Sequence, residues 1–228
     1  MRHLLKIVIA AAATMAFSAV AQAAPITING ADFTNGTNNQ VIGGITWSSA
    51  PGNFQTKTVD GFTGVGIMGG STNDEIDIGE TLTGTSANPF AIKSITLGVL
   101  FDGPEFNDVN EVAKITFDGG YILLTATGQT DATLTNAPDG TSVTSLSAAT
   151  SNGGGVWRID FASYLSPVTS VSFTALNGDC GNHSTGNCSN QSDFTLVQMV
   201  AKPVPEPASL ALLGLGLAGI GLARRRRR

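Results

Sequence analysis

The sequence predicts an all-β body, an antiparallel β-sandwich or jelly-roll-like domain, followed by one short C-terminal transmembrane helix. Three observations carry the prediction. Short runs of β-branched and aromatic residues recur between Gly, Asn, Asp and Pro. Glycine supplies 28 of the 228 residues, above the usual share of about 7%. No stretch of the body shows a convincing helical period. With 13% of residues charged and 42% hydrophobic, a coiled coil and a wholly disordered chain are both excluded.

Residues 1–23 divide into a basic start (Arg2, Lys6), an apolar run over 7–20, and the small-residue triplet Ala21-Gln22-Ala23. This is the pattern of a secretory signal peptide, with cleavage expected between Ala23 and Ala24 by signal peptidase. The apolar run is short for a spanning helix, which needs about 20 residues.

The body is expected over residues 24–202. It carries five basic side chains, Lys57, Lys93, Lys114, Arg158 and Lys202, against sixteen carboxylates, a formal balance of −11. Nucleic-acid binding needs a basic face, so no nucleic-acid partner is expected. Strands are expected at 26–28, 42–47, 55–59, 92–101, 112–117, 121–127, 156–161, 168–175 and 194–200. Val171, Phe173 and Ala175 alternate with Ser172 and Thr174 as a half-buried strand requires. Asp118-Gly119-Gly120 joins two of these runs as a hairpin.

Two acidic segments stand out. In residues 73–80 the alternation predicts Glu75 and Asp77 on one strand face, with Ile76 and Ile78 on the other. The loop 102–111 then gathers Asp102, Glu105, Asp108 and Glu111 with two asparagines. Oxygen ligands at this density suit a structural Ca²⁺, held by those four carboxylates with Glu75 and Asp77 joining them. The spacing is not that of an EF-hand, and solvated turns on an acidic protein are the plain alternative. No other cofactor is expected. Gly64-Val65-Gly66-Ile67-Met68-Gly69 and Gly214-Leu215-Gly216-Leu217-Ala218-Gly219 fit the dinucleotide fingerprint in letters, but neither opens a helix after a strand.

Cys180 and Cys188 are the only cysteines. In an exported protein they are expected to form one disulfide that rigidifies a surface loop. The alternative is a metal site using Cys180, His183 and Cys188, for which no fourth ligand is evident.

The tail has three parts. Lys202-Pro203-Val204-Pro205-Glu206-Pro207 denies backbone donors and favours an extended segment. Residues 208–223 are sixteen uncharged residues, about 24 Å as a helix, marginal for a hydrocarbon core near 30 Å. Arg224, Arg225, Arg226, Arg227 and Arg228 close the chain and act as a cytoplasmic stop under the positive-inside rule.

Val204-Pro205-Glu206-Pro207, the apolar Gly/Leu helix and the arginine cluster together resemble the PEP-CTERM sorting signal of bacterial exported proteins, over residues 203–228. The resemblance implies that the Pro205-Glu206-Pro207 motif is read by an exosortase, a membrane enzyme similar to a cysteine transpeptidase, which removes the helix. It also implies a bacterium with an outer membrane and an exopolysaccharide-producing lifestyle. It says how the chain is sorted, not what the body does.

For the body, the leading expectation is a non-catalytic protein of the envelope or exopolysaccharide matrix. It would be anchored transiently in the membrane and then displayed at the cell surface or in the matrix, with extracellular polysaccharide as a partner. The alternative is a carbohydrate-binding module, which needs exposed aromatics. Trp47, Trp157, Tyr121 and Tyr164 are available besides the phenylalanines. Burial of both tryptophans favours a structural role. A third reading is a glycan-active hydrolase built on two close carboxylates.

Overall fold

Why the glycine-rich, strand-forming sequence folds as it does is seen first at its tightest turns. The computed structural model describes residues 23–103, 109–147, 155–179 and 192–204. Strand β2 (Asn39–Ile42) pairs with β3 (Ile45–Ala50) through Gly43 and Gly44, whose φ angles are 61° and 77°. Strand β4 (Phe54–Val59) pairs with β5 (Phe62–Ile67) through Asp60 and Gly61, at 52° and 81°. Two successive positive φ values are what a two-residue turn needs to match the right-handed twist of its strands. The expected single strand over 42–47 is therefore two strands split at the glycine pair.

Thirteen strands form among the described residues, beginning with β1 (Ile26–Asn29), and all join one large antiparallel sheet. The expected all-β, antiparallel class holds. The remaining strands are β6 (Thr81–Gly98), β7 (Asn110–Phe117), β8 (Gly120–Ala126), β9 (Ala132–Thr135), β10 (Ser142–Ser145), β11 (Trp157–Asp160), β12 (Val168–Asp179) and β13 (Thr195–Pro203). One 3₁₀ turn, Gly30–Asp32, follows β1.

The organising strand is β6. Its first part, through Thr85, lies between β3 and β12 (Trp47 and Val171 both opposite Gly84). From Phe90 onward it lies beside β13 (Ile95 opposite Met199), and β11 takes its other edge (Ile95 opposite Ile159). One strand thus serves two arms: β2-β3-β6-β12-β7-β8-β9 and β10-β11-β6-β13-β5-β4, with β1 also on β13. The changeover falls at Ser86-Ala87-Asn88-Pro89, where the pairing with β12 shifts register between Val168 and Ser170. Proline cannot donate to a ladder, so it sits where pairing is interrupted.

Both arms feed one buried cluster. Trp47, Leu82, Ile115, Leu124 and Phe173 come from the first; Ile28, Phe54, Ile95, Trp157, Leu196 and Met199 come from the second. The first part of β6 alternates buried and half-buried residues, whereas Ser94 to Gly98 are buried without alternation. The second part is thus covered on both faces, including the polar Ser94 and Thr96. Residues Pro25–Pro203 form one compact unit. Among the described residues no helix is long and apolar enough to cross a membrane. The expected transmembrane helix, at 208–223, lies outside the described residues.

The first glycine fingerprint is strand, not loop. Gly64 and Gly66 belong to β5, where a Cβ at 64 would meet Thr195 Oγ1 at 2.1 Å and one at 66 would meet the Asp74 carbonyl oxygen at 2.3 Å. These glycines admit close approach of neighbouring chain segments rather than a phosphate.

Candidate functional sites

Carboxylates are the chemistry-bearing groups of this body, and the structure puts several of them inside it. Residues 73–80 do not form the expected strand. Glu75, Asp77 and Glu80 are all buried, whereas Ile78 is exposed. The alternation fails because this stretch is a loop tied down in its interior: Ile67 donates to the Glu75 carbonyl, and Ile76 donates to the Phe194 carbonyl (2.9 and 2.7 Å).

Each buried acid has its own neighbourhood. Glu75 Oε1 takes a 2.5 Å contact from Lys57 Nζ, which also reaches Asp74 Oδ1 at 3.2 Å. Burial pulls the Lys57 pKa down, but the hydrogen bond and charge of Glu75, then those of Asp74, leave it raised above the ordinary lysine value. Asp77 Oδ2 accepts from the Ser71 and Thr72 amides and from Thr72 Oγ1 (2.9, 3.1 and 3.2 Å). Glu80 Oε2 accepts from the Asp77 amide at 3.0 Å, while Oε1 is buried without a hydrogen-bond partner. Desolvation, with a contribution from the Asp77 charge, raises the Glu80 pKa.

Glu111 is buried, and its Oε2 accepts from the Phe101 amide. Asp102 is half-buried. Glu105 and Asp108 lie outside the described residues, as do Cys180, His183 and Cys188. Among the described residues no group of three or more His, Cys, Asp or Glu side chains is placed to hold a metal ion. Glu80, the acid with the orphaned oxygen, was not among the expected ligands; the signal available for it was its position one turn after Asp77 in the same acidic run.

The aromatics divide by place. Trp47 is fully buried, between Phe33 (centroids 5.5 Å apart) and Phe173 (6.3 Å). Trp157 is buried and donates from Nε1 to the Leu100 carbonyl at 2.7 Å. Both tryptophans are therefore spent on the core. Tyr121 is 44% exposed, with Lys114 Nζ 4.8 Å from its ring centroid. It lines an open groove of about 680 Å³ with Phe117, Asp118, Asn136, Leu165 and Pro167. Asp118, in the expected hairpin turn, ties the groove's walls together by accepting from Thr169 N and Oγ1 (2.5 and 2.8 Å). Those hydrogen bonds lower its pKa, the Thr169 amide most.

At the C-terminal edge, β13 stays paired to its last residue, Pro203 opposite Phe90. Lys202 Nζ lies 4.1 Å from the Tyr164 ring centroid. Folded strand thus runs to within two residues of Pro205. Residues 203–228 match the family model of the PEP-CTERM protein-sorting motif. The chain carries a PEP-CTERM sorting motif. Neither the curated proteins nor the solved structures contain a match to the chain. The PEP-CTERM motif covers the tail alone, and its Pro205, Glu206 and Pro207, with Arg224 to Arg228, lie outside the described residues.

Proposed function

We propose that the chain is an exported, non-catalytic envelope or exopolysaccharide-matrix protein, sorted by its PEP-CTERM motif and processed by an exosortase. The match at 203–228 carries this reading. The N-terminal pattern ending at Ala23 supplies the export step that such a motif presupposes. The tail's apolar segment and arginine stop hold the chain transiently in the inner membrane of a Gram-negative-type bacterium.

The body supports a structural role in two ways. Its two tryptophans, the best platforms for stacking on sugars, are both buried. Its buried Glu75 and Asp77 are engaged by Lys57 and by loop amides rather than opposed across a cleft. We read the two arms joined by β6 as the layers of a sandwich, since strands that change sheets at a bend build such corners, and the Cys180–Cys188 disulfide as a clip on its surface. A carbohydrate-binding role is the second reading, favoured by one observation, the exposed Tyr121 in its groove.

Intact-mass spectrometry of the protein recovered from its host tests the proposal. The expected mass starts at Ala24 and lacks the apolar tail beyond the Pro205 to Pro207 region. A mass including residues 208–228 overturns it.

A further inference from the structure

Buried carboxylates without a cation are rare, because desolving a negative charge costs several kcal/mol unless something neutralises it. Asp77 and Glu80 are 4% and 3% exposed. They are locked together by a reciprocal pair: the Asp77 amide donates to Glu80 Oε2, and the Glu80 amide donates to the Asp77 carbonyl, both at 3.0 Å. Lys57, the cation that serves this loop, is spent on Asp74 and Glu75. Glu80 Oε1 is left with no partner.

That orphaned oxygen faces into the loop. A Cβ added to Gly69 would lie 3.3 Å from Glu80 Oε1, and one added to Gly70 would lie 2.1 Å from Asp77 Oδ2. Both glycines have positive φ, 132° and 57°. The chain therefore wraps backbone, not side chains, over the two acids. The Gly69 amide donates to Asn73 Oδ1 and the Ser71 and Thr72 amides donate to Asp77, closing the loop on itself.

We propose that the loop from Gly69 to Glu80 is a calcium site, with the Glu80 carboxylate, through its orphaned Oε1, and the Asp77 carboxylate as its two charged ligands. Two carboxylates neutralise the ion's charge, and loop carbonyls and waters complete the six to eight oxygens that Ca²⁺ takes. Mg²⁺, which demands a near-ideal octahedron and sheds water reluctantly, fits such a loop poorly. The site shares Asp77 with the set expected from sequence and adds Glu80; Glu75 is excluded because Lys57 holds it. The loop is hydrogen-bonded to the backbone of Ile67 and Phe194, so the ion's effect is on stability.

The rival occupant is a proton on Glu80, and the experiment separates the two. Thermal unfolding of the full chain in detergent is followed near pH 7.5, in chelator and in millimolar Ca²⁺, for the parent and for Glu80→Gln. Binding to the folded state alone raises Tm, by roughly 3–6 °C for a body of this size. Glu80→Gln, which keeps the side chain's shape and removes its charge, abolishes the rise, while Mg²⁺ reproduces little of it. A parent Tm that is the same in calcium and chelator overturns the proposal, as does an undiminished calcium response in Glu80→Gln. Parent protein stabilised by acid and indifferent to calcium assigns the site to the proton instead.

Discussion

Trp47 on β3 stacks on Phe173 on β12 across the strand between them, with ring centroids 6.3 Å apart and planes at 25°. The intervening residue is Gly84, opposite Trp47 on one side and Val171 on the other. A Cβ there would lie 3.1 Å from Trp47 Cη2 and Cζ3 and 3.1 Å from Ile45 Cγ2. The indole therefore occupies the space that a side chain at position 84 would fill, and the ring pair locks three strands together.

Gly84→Val consequently overpacks the core. The expected cost is about 1–3 kcal/mol, read as a lower urea midpoint with an unchanged m-value. Trp47→Ala costs more, about 3–5 kcal/mol, and leaves the Tyr121 groove intact.

Lys57 neutralises Glu75, whose side chain is 3% exposed, against 29% for the lysine. Lys57→Met leaves that carboxylate buried and unpaired, and stability is expected to fall by about 2 kcal/mol, less than for a fully buried pair because the lysine is partly solvated. The double variant Lys57→Met/Glu75→Gln recovers most of the loss. Urea unfolding of the four proteins closes the cycle.

Glu80 makes the loop sensitive to pH in the absence of calcium. Its folded pKa is raised by burial, with the Asp77 charge adding to the rise and the hydrogen bond from the Asp77 amide opposing it. A raised carboxyl favours the folded state only while protonated, so its contribution is present below the ordinary carboxylate pKa and is lost as pH rises through the folded value. In chelator, Glu80→Gln is therefore expected to be more stable than the parent at neutral pH, with the difference vanishing as the pH falls below about 4. Thermal melts across that range measure it.

Asp118 behaves in the opposite sense. Its pKa is lowered by the Thr169 hydrogen bonds, so the tie is present above the ordinary carboxylate value and is lost as pH falls through the depressed one. Asp118→Ala is expected to speed amide exchange at Thr169 at neutral pH, with a small change in global stability because the residue is exposed.

Much of the fold was legible in the sequence, and the gaps have physical reasons. Runs such as 112–117 and 168–175 alternate because one face packs on the core, and both are strands. The stretch Thr81–Ala91 is not legible as strand because Ser86, Ala87, Asn88 and Pro89 interrupt any run of strand formers, whereas the chain continues through them as β6. β5 hid behind glycines whose purpose is close approach to Thr195 and Asp74, a tertiary fact that no local pattern carries. Gly43-Gly44 and Asp60-Gly61 are two-residue hairpin signals, and each joins a strand pair. At the candidate site, alternation put Glu75 and Asp77 on one strand face opposite Ile76 and Ile78; the chain instead forms a loop that buries both acids, where Lys57 and backbone amides replace the lost water.

The central claim is that the tail is a processed sorting signal rather than a lifelong anchor. Three features stand in fixed order: the Pro205-Glu206-Pro207 segment, the apolar stretch 208–223, and the stop at Arg224 to Arg228. A permanent anchor needs only the last two. The direct measurement is the size and membrane partitioning of a variant with Pro205, Glu206 and Pro207 all replaced by alanine, expressed in the native host beside the parent. The account predicts that the variant accumulates full-length and membrane-bound, with the body folded, while the parent is shortened and leaves the inner membrane. A variant processed and distributed like the parent would contradict it.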